Sequence, residues 1–415
     1  MKKVILITSS FPYYPGEQFL ETEIHYYGGI DVEILPLSLH VNKRNIPEHI
    51  KINNFLTRDR VSIFKKIFYV FKGMLEPLFY IEFFSAARCS TKKIRIFLAS
   101  IYNYQRYKSL LNLYFKNKKN PHQMIIYTYW NNEVTYALQS LKSKYKYQLI
   151  SRIHGGDLYQ ERRLFDYMPL KKHFLQNIDK IYTITEGANE YLSKTYGFKN
   201  ETLELSRLGV MDFGIKASPS PEGCLNIVSC SFLTEIKRVD KIIDAIKALS
   251  ESAIYTKITW RHIGDGQLGK YLRGYASERI GNSSLVDYKF LGNLENLDVY
   301  EFYKNNQVDV FLNTSESEGV PVSIMEAMSC HIPIIAPNVG GISDMMQDDS
   351  GFLLSEKCSV DEIALVLKKE TFLKNNEIRE NAYKLFLEKY NAEKNYIDFV
   401  NKITHLPAKS LKNAR

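Results

Sequence analysis

The sequence predicts an α/β protein built from two doubly wound, Rossmann-like parallel sheets, and three observations predict it. Short apolar runs of strand length alternate with helical stretches along most of the 415 residues, the pattern of a parallel sheet wrapped by helices. The runs are apolar throughout, as suits strands buried on both faces. The alternation pauses once, at the polar GIKASPSPEGC of residues 214–224, and then restarts, which marks a linker between two domains expected over 1–215 and 222–385. A composition of 45% apolar and 24% charged residues is globular rather than disordered.

The chain begins MKKVILITSSFPYYPG. Its basic start and apolar run have the outline of a signal peptide. The run is too short and too β-branched, however, and it ends in a Pro/Gly turn without a small-residue cleavage site. KKVILIT is therefore the expected first core strand, and cytoplasmic residence is expected. VEILPLS, MIIYTY, YQLISRIH and KIYTITE continue the first sheet.

Between the second and third of these, residues 61–119 are rich in Lys, Arg, Phe and Tyr. No stretch reaches the roughly 18 uninterrupted apolar residues that span a bilayer, and residues 61–89 are broken by Lys65, Lys66, Lys72, Glu76, Pro77 and Glu82. Two readings of these amphipathic helices stay open: rings packed on the sheet with lysines in water, or a face suited to an anionic membrane surface.

After the linker, LNIVSCSFL, KITWRHIGDG, YKFLGNL, VDVFLNTS, IPIIAP and GFLLS restart the alternation. Ligands of doubly wound sheets bind beyond the carboxyl ends of the strands, and two such sheets facing one another would form an interdomain cleft there.

Five cysteines, odd in number and without a C-x-x-C pair, argue for reduced thiols and against a disulfide framework or a zinc site. A net charge of +9 attracts polyanions of any kind. No RNP, helix-turn-helix or zinc-knuckle signature accompanies it, so nucleic acid is not an expected partner.

The chemistry concentrates in SESEGVPVSIMEAMSCHIPIIAPNVGG, residues 315–341, which leaves the run VDVFLNTS. Eight steps of about 100° would leave Glu318 and Glu326 roughly 80° apart on one continuous helix. A turn at Gly319 and Pro321 is what could bring them to one site.

ESEGVPVSIMEAMSCHIPIIAPNVGGISDMM resembles the E-x7-E region of retaining family-four glycosyltransferases, whose fold is the two-domain GT-B architecture. The likeness extends in the family's order through FPYYPGEQFLETEI, SRIHGGDLY, SFLTEIKRVDKII, HIGDGQL and FLGNL. It implies transfer of a sugar from a UDP- or GDP-sugar donor to a glycan acceptor, a lipid-linked precursor of a cell-surface polysaccharide or lipopolysaccharide. It further implies that no metal or other cofactor takes part and that a helix over 386–405 crosses back to the first domain. A lipid-linked acceptor would be met at the inner face of the cytoplasmic membrane, so the membrane-facing reading of residues 61–119 would make the protein peripheral there, and their packing on the sheet stays the other reading. A sugar-nucleotide epimerase on the same architecture is the alternative enzyme, since a fold does not fix a reaction. A basic nucleic-acid-binding protein is the alternative from another class.

The resemblance also implies roles. Glu318 would contact hydroxyls of the donor sugar and Glu326 the ribose, both tasks suited to a carboxylate that accepts two hydroxyl donors. Gly319 and Val320 would bring backbone N–H groups at a helix start to the sugar and diphosphate. Lys237 would stabilise the charge that builds on the departing diphosphate, because no D-x-D pair follows a strand to hold a metal.

Many relatives carry an Arg five positions before this Lys, where the present chain has Phe232. Compensation by Arg238, by Arg207 or by additional backbone contacts stays open. His154 would stand beside the reacting sugar, its carbonyl and ring polarising the donor while the departing phosphate takes the acceptor's proton, and Asp157 would orient its loop. The turn from Gly264 to Gly266 and the backbone from Gly292 to Leu294 would approach the nucleotide and its base, which leaves UDP and GDP undistinguished. Gly16 and Glu17 are expected on the acceptor side, the family's glycine pair being reduced here to Pro15-Gly16.

Overall fold

The chain divides into two compact units, residues 1–207 with 396–415, and residues 208–395. The computed structural model describes residues 3–14, 16–57, 62–87, 90–175, 177–346 and 349–406, so Pro15 and Cys89 lie outside the described residues.

The first unit holds a parallel sheet of β1 (Lys3–Thr8), β2 (Val32–Pro36), β3 (Lys51–Ile52), β4 (Met124–Thr128), β5 (Gln148–Ile153), β6 (Lys180–Thr183) and β7 (Leu203–Leu205). Its order is β3-β2-β1-β4-β5-β6-β7, with Val4 opposite Val32 on one side and Ile125 on the other. The five apolar runs of the first half all form strands. β3 and β7 are edge strands of sequence KI and LEL, too short for an apolar run to announce them.

Alternate residues of β1 serve opposite faces. Ile5 and Ile7 join Phe97, Ile101 and Leu111 of the 26-residue helix Thr91–Lys116. Val4 and Leu6 join Phe399, Val400 and Ile403 of the helix Ala392–Thr404. The basic, aromatic stretch folds as three helices, Ile63–Met74, Pro77–Ala87 and Thr91–Lys116. Proline opens the second, where its missing N–H costs nothing.

The second unit repeats the plan with β8 (Cys224–Cys230), β9 (Lys257–Ile263), β10 (Val286–Gly292), β11 (Val310–Leu312), β12 (Ile334–Pro337) and β13 (Gly351–Leu354). The order is β10-β9-β8-β11-β12-β13, again parallel. Val239, Ile242, Ile243, Ile246 and Leu249 line the buried stripe of the helix Val239–Ser250 at helical spacing. The helix Val322–Ser329, between β11 and β12, is buried from Ile324 to Ser329.

Each sheet has one point where consecutive connections leave in opposite directions, between β1 and β4 in the first unit and between β8 and β11 in the second. The loops that diverge at such a point open a crevice above the strand ends. Most of the chemically distinctive side chains lie in or beside these loops.

Candidate active site

In the second unit, the loop after β8 carries Lys237 and the loop after β11 carries Glu318. Thr314 joins the loops by donating its hydroxyl to the carbonyls of Lys237 (3.1 Å) and Arg238 (2.9 Å). Lys237 Nζ then donates to Glu318 Oε1 at 2.6 Å. The same oxygen accepts from Ser315 Oγ at 2.6 Å and Asn313 Nδ2 at 3.2 Å. Oε2 accepts no hydrogen bond among the described residues, so one carboxylate oxygen is held while the other remains available to a hydroxyl.

Glu326 is placed differently. Pro321 caps the helix Val322–Ser329 with extended backbone at φ −71° and ψ 120°, so Glu318 precedes the helix and Glu326 lies in its second turn. The Glu326 carboxyl is buried, and its one described partner is Asn296 Nδ2, from the first residue of the helix Asn296–Asn305. Burial pushes this carboxyl up to about 7, against the smaller downward pull of Asn296. A buried carboxyl so poorly provided with donors gains from any pair of hydroxyls brought to it. Beside it the half-buried Cys230 thiol is pushed up by burial and by the Glu326 charge.

Both guanidinium groups considered as compensation for Phe232 are already ion-paired. Arg238 adopts left-handed backbone, φ 48°, ahead of the helix Val239–Ser250 and pairs with both Asp240 and Glu316. Arg207, in the first unit, pairs with Glu186 at 2.6 Å. Phe232 itself is 61% exposed. Of the three compensations open in the sequence, added backbone contact alone breaks no ion pair.

The glycines separate into distinct cases. Gly264 has φ +122°, and a Cβ there would fall 2.1 Å from the Ser231 carbonyl oxygen; one at Gly266 would fall 2.6 Å from that of Leu233. Both are required by the protein's own packing of the loop after β9 on the loop after β8. Gly292, φ +76°, has open space beside it, as does Gly319. Gly264 N–H donates to Gly292 O at 2.7 Å, joining the two turns. Val320 is buried and Leu294 half-buried.

In the first unit, Glu17 holds the loop after β1. Its Oε1 accepts from Ser9 N (2.6 Å) and Trp130 Nε1 (2.8 Å), and its Oε2 from Ser10 N (2.8 Å) and Phe11 N (2.7 Å). A carboxylate offers about four acceptor sites, and all are taken. The expectation that Glu17 meets an acceptor is thereby revised: the side chain shapes the loop. Gly16, at φ +105°, is exposed, and its carbonyl accepts from the buried Arg44 at 2.8 Å.

His154 follows β5 and is buried with its ring against Tyr129 (4.7 Å between centroids) and Trp130 (4.5 Å). Neither ring nitrogen has a hydrogen-bond partner among the described residues. Burial, reinforced by the Arg152 charge, holds this imidazole well below the usual histidine range, so it is neutral near pH 7. Asp157 ties the loop down by accepting from His154 N (2.6 Å) and Asn131 N (2.5 Å). Burial raises its carboxyl to about 6. Lys171, fully buried and lowered to about 8 by burial, donates to Asn131 Oδ1 at 3.0 Å and to the Asp157 carbonyl.

Sequence reading did not single out Asn296, Asn313, Ser315, Lys171 or the two rings on His154. Asn313 and Ser315 lay within the quoted strand and motif and had a detectable signal. Asn296, Lys171 and the rings come from distant segments and had none.

Residues 212–410, which include Lys237, Glu318 and Glu326, match the family model for glycosyl transferases group 1. The putative colanic acid biosynthesis glycosyltransferase WcaL of Escherichia coli (strain K12) is 27% identical over 219 residues, 49% of this chain and 50% of that protein. The match thus spans about half the length of such curated relatives.

Among solved structures, the lipopolysaccharide outer core galactosyltransferase WaaB, in its apo form, superposes with a TM-score of 0.66 at 15% identity, covering 97% of this chain and 99% of its own. Anabaena Alr3699/HepE in complex with UDP and glucose gives a TM-score of 0.65 at 16% identity, covering 98% and 100%. These likenesses establish the fold, two Rossmann-like parallel-sheet domains of the GT-B kind.

Proposed function

We propose, on the premise that residues 212–410 are a glycosyltransferase group 1 domain, that this chain is a retaining hexosyltransferase using a UDP- or GDP-sugar. The acceptor in this reading is a glycan, carried on a lipid as the precursor of a cell-surface polysaccharide or lipopolysaccharide and met at the inner face of the cytoplasmic membrane. The observation that carries the reading is the gathering of Lys237, Glu318 and a buried, donor-poor Glu326 around the β8/β11 switch point. The named roles of WcaL and WaaB, and the UDP and glucose of the HepE complex, support the substrate classes.

In the proposed mechanism, Glu326 accepts the two ribose hydroxyls that would relieve its burial, and backbone at Gly264, Gly266, Gly292 and Leu294 borders the nucleotide. Lys237, fixed by Glu318 Oε1, faces the diphosphate together with backbone N–H groups at Gly319 and Val320. The free Oε2 of Glu318 receives a hydroxyl of the donor sugar. As the glycosidic bond breaks, its electron pair passes to the diphosphate oxygen, where Lys237 stabilises the charge without a metal. The acceptor hydroxyl attacks from the same face and gives its proton to the departing phosphate, which retains the anomeric configuration.

His154 contributes a neutral ring to the reacting sugar. Asp157 positions His154, and Gly16 is left as the acceptor-side contact of its loop.

Calorimetric titration of UDP and GDP into wild type and Glu326→Ala tests the reading. One nucleotide is expected to bind wild type and to lose about tenfold or more in affinity in the variant, the range of a lost charge-assisted hydrogen bond. Equal affinity in the folded variant removes the ribose role, and binding of neither nucleotide to wild type removes the donor class.

A further inference from the structure

The helix Ile63–Met74 is amphipathic with its apolar side turned outward. At about 100° per residue, Ile63, Phe64, Ile67, Phe68, Phe71 and Met74 fall within one arc of about 140°, and all six are exposed, Phe64 to 80% and Ile63 to 69%. The opposite side carries the buried Gly73, where a Cβ would lie 2.4 Å from Ile101 Cγ2 of the helix Thr91–Lys116. The helix therefore rests on the body of the unit by its glycine side. The following turn and helix extend the apolar surface with Leu75, Ile81 and Phe84, each more than half exposed.

Charge is arranged around this stripe. On the helical wheel Lys65 and Lys72 flank one edge and Lys66 the other, with Lys72 Nζ donating to Ser109 Oγ at 2.9 Å and Lys66 Nζ lying 6.0 Å from the centre of the Tyr102 ring. Residues 62–119 contain twelve Lys and Arg against two Glu, an excess of ten that matches the +9 of the whole chain. Both acids are engaged internally, Glu76 by Tyr104, Gln105 and Lys108, and Glu82 by Tyr167. An outward apolar stripe bordered by lysines within a basic field is complementary to one kind of surface: a bilayer with anionic headgroups, in which the rings enter the acyl boundary and the ammonium groups stay at the phosphates. A second copy of the chain would present the same positive field and be repelled.

We propose that the helix Ile63–Met74 is a membrane-docking element that lies in the plane of an anionic lipid surface. The inference deepens the reading above, and rests on it for its purpose, since a lipid-linked acceptor has to be met at such a surface. No helix among the described residues is long and apolar enough to cross a membrane, so the attachment is by one face.

Vesicle flotation tests it, with phosphatidylcholine alone and mixed with phosphatidylglycerol, on wild type and on the triple variant Phe64→Ser, Phe68→Ser, Phe71→Ser. Wild type is expected to float with the mixed vesicles and to release at high salt, and the triple variant to lose about tenfold or more in partitioning, as buried apolar area is removed. Phe68→Trp should show blue-shifted emission, quenched by brominated lipid, on mixed vesicles alone.

Failure of wild type to float, or undiminished flotation of the triple variant, overturns the proposal. So does a wild-type dimer, seen by analytical ultracentrifugation without lipid, that the triple variant abolishes, because the stripe then belongs to a second copy. UDP and GDP titrations on the same proteins separate the two readings. Nucleotide binding without flotation defeats the docking element alone, and flotation without nucleotide binding defeats the donor assignment alone.

Discussion

At the scale of single residues, Glu326 and Lys237 represent opposite electrostatic solutions. Glu326 is buried with no cation beside it among the described residues, and its carboxyl near 7 compares with an ordinary value of 4.5. Between these two pH values the folded protein keeps a proton that the unfolded chain releases. Stability is therefore unaffected by this group below pH 4.5 and falls as pH rises toward 7, by on the order of 3 kcal/mol in total. Glu326→Gln should flatten that decline and be more stable than wild type at pH 8, measured by urea unfolding at pH 5 and 8; an unchanged slope would show that the carboxyl titrates normally. Lys237, by contrast, sits 2.6 Å from the Glu318 carboxylate. Its removal should act on catalysis, with Lys237→Ala lowering kcat/KM for sugar transfer by roughly 10²–10³ and wild-type transfer persisting in excess EDTA. Wild-type turnover in the variant, or loss of transfer in EDTA, would sink the metal-free role. The stretch 315–341 made Glu318 and Glu326 legible in the sequence and SFLTEIKRVDKII made Lys237 so, but neither showed that of the two acids Glu318 is the one with a cation beside it.

At the scale of elements, the turns after the strands show where local pattern stops informing. HIGDGQL reads as a glycine turn that could approach a nucleotide, yet Gly264 and Gly266 are fixed by the backbone of the neighbouring loop at Ser231 and Leu233. Gly264→Ala combines φ +122° with a 2.1 Å contact to a carbonyl oxygen and should destabilise by at least about 1–3 kcal/mol, the range for backbone strain alone. Gly292→Ala has positive φ but open space beside it, so its cost should stay near about 1–2 kcal/mol. Chemical denaturation of the two variants gives the comparison, and equal midpoints would refute the steric account. The loop after β1 shows the same gap from the other side. Its Pro-Gly-Glu sequence is that of a plausible contact loop, while the four hydrogen bonds on Glu17 make that glutamate its organiser.

At the scale of the molecule, the end of the chain completes the unit that the start of the chain begins. Phe399 is fully buried against Tyr127 and Tyr182, and Arg152, itself paired with Glu23 in the interior, lies 4.2 Å from the centre of its ring. Phe399→Ala should cost about 3–5 kcal/mol and lower the melting transition of the first unit, followed by calorimetry; an unshifted transition would show that the last helix is dispensable to that core. The sequence by itself determined the alternation of strands and helices and the order of the motifs, whereas the chain divides at 207/208, ahead of the polar stretch 214–224. The alternation and the order follow from local periodicity and turn chemistry, which each segment carries alone. Only the tertiary structure decided which acid has Lys237 beside it, which glycines serve packing, that Arg238 is already paired, and that the stripe of Ile63–Met74 faces outward. The physical reason is that a helix's sequence fixes the width and chemistry of its apolar face. What that face meets is set by the surfaces that distant segments bring beside it.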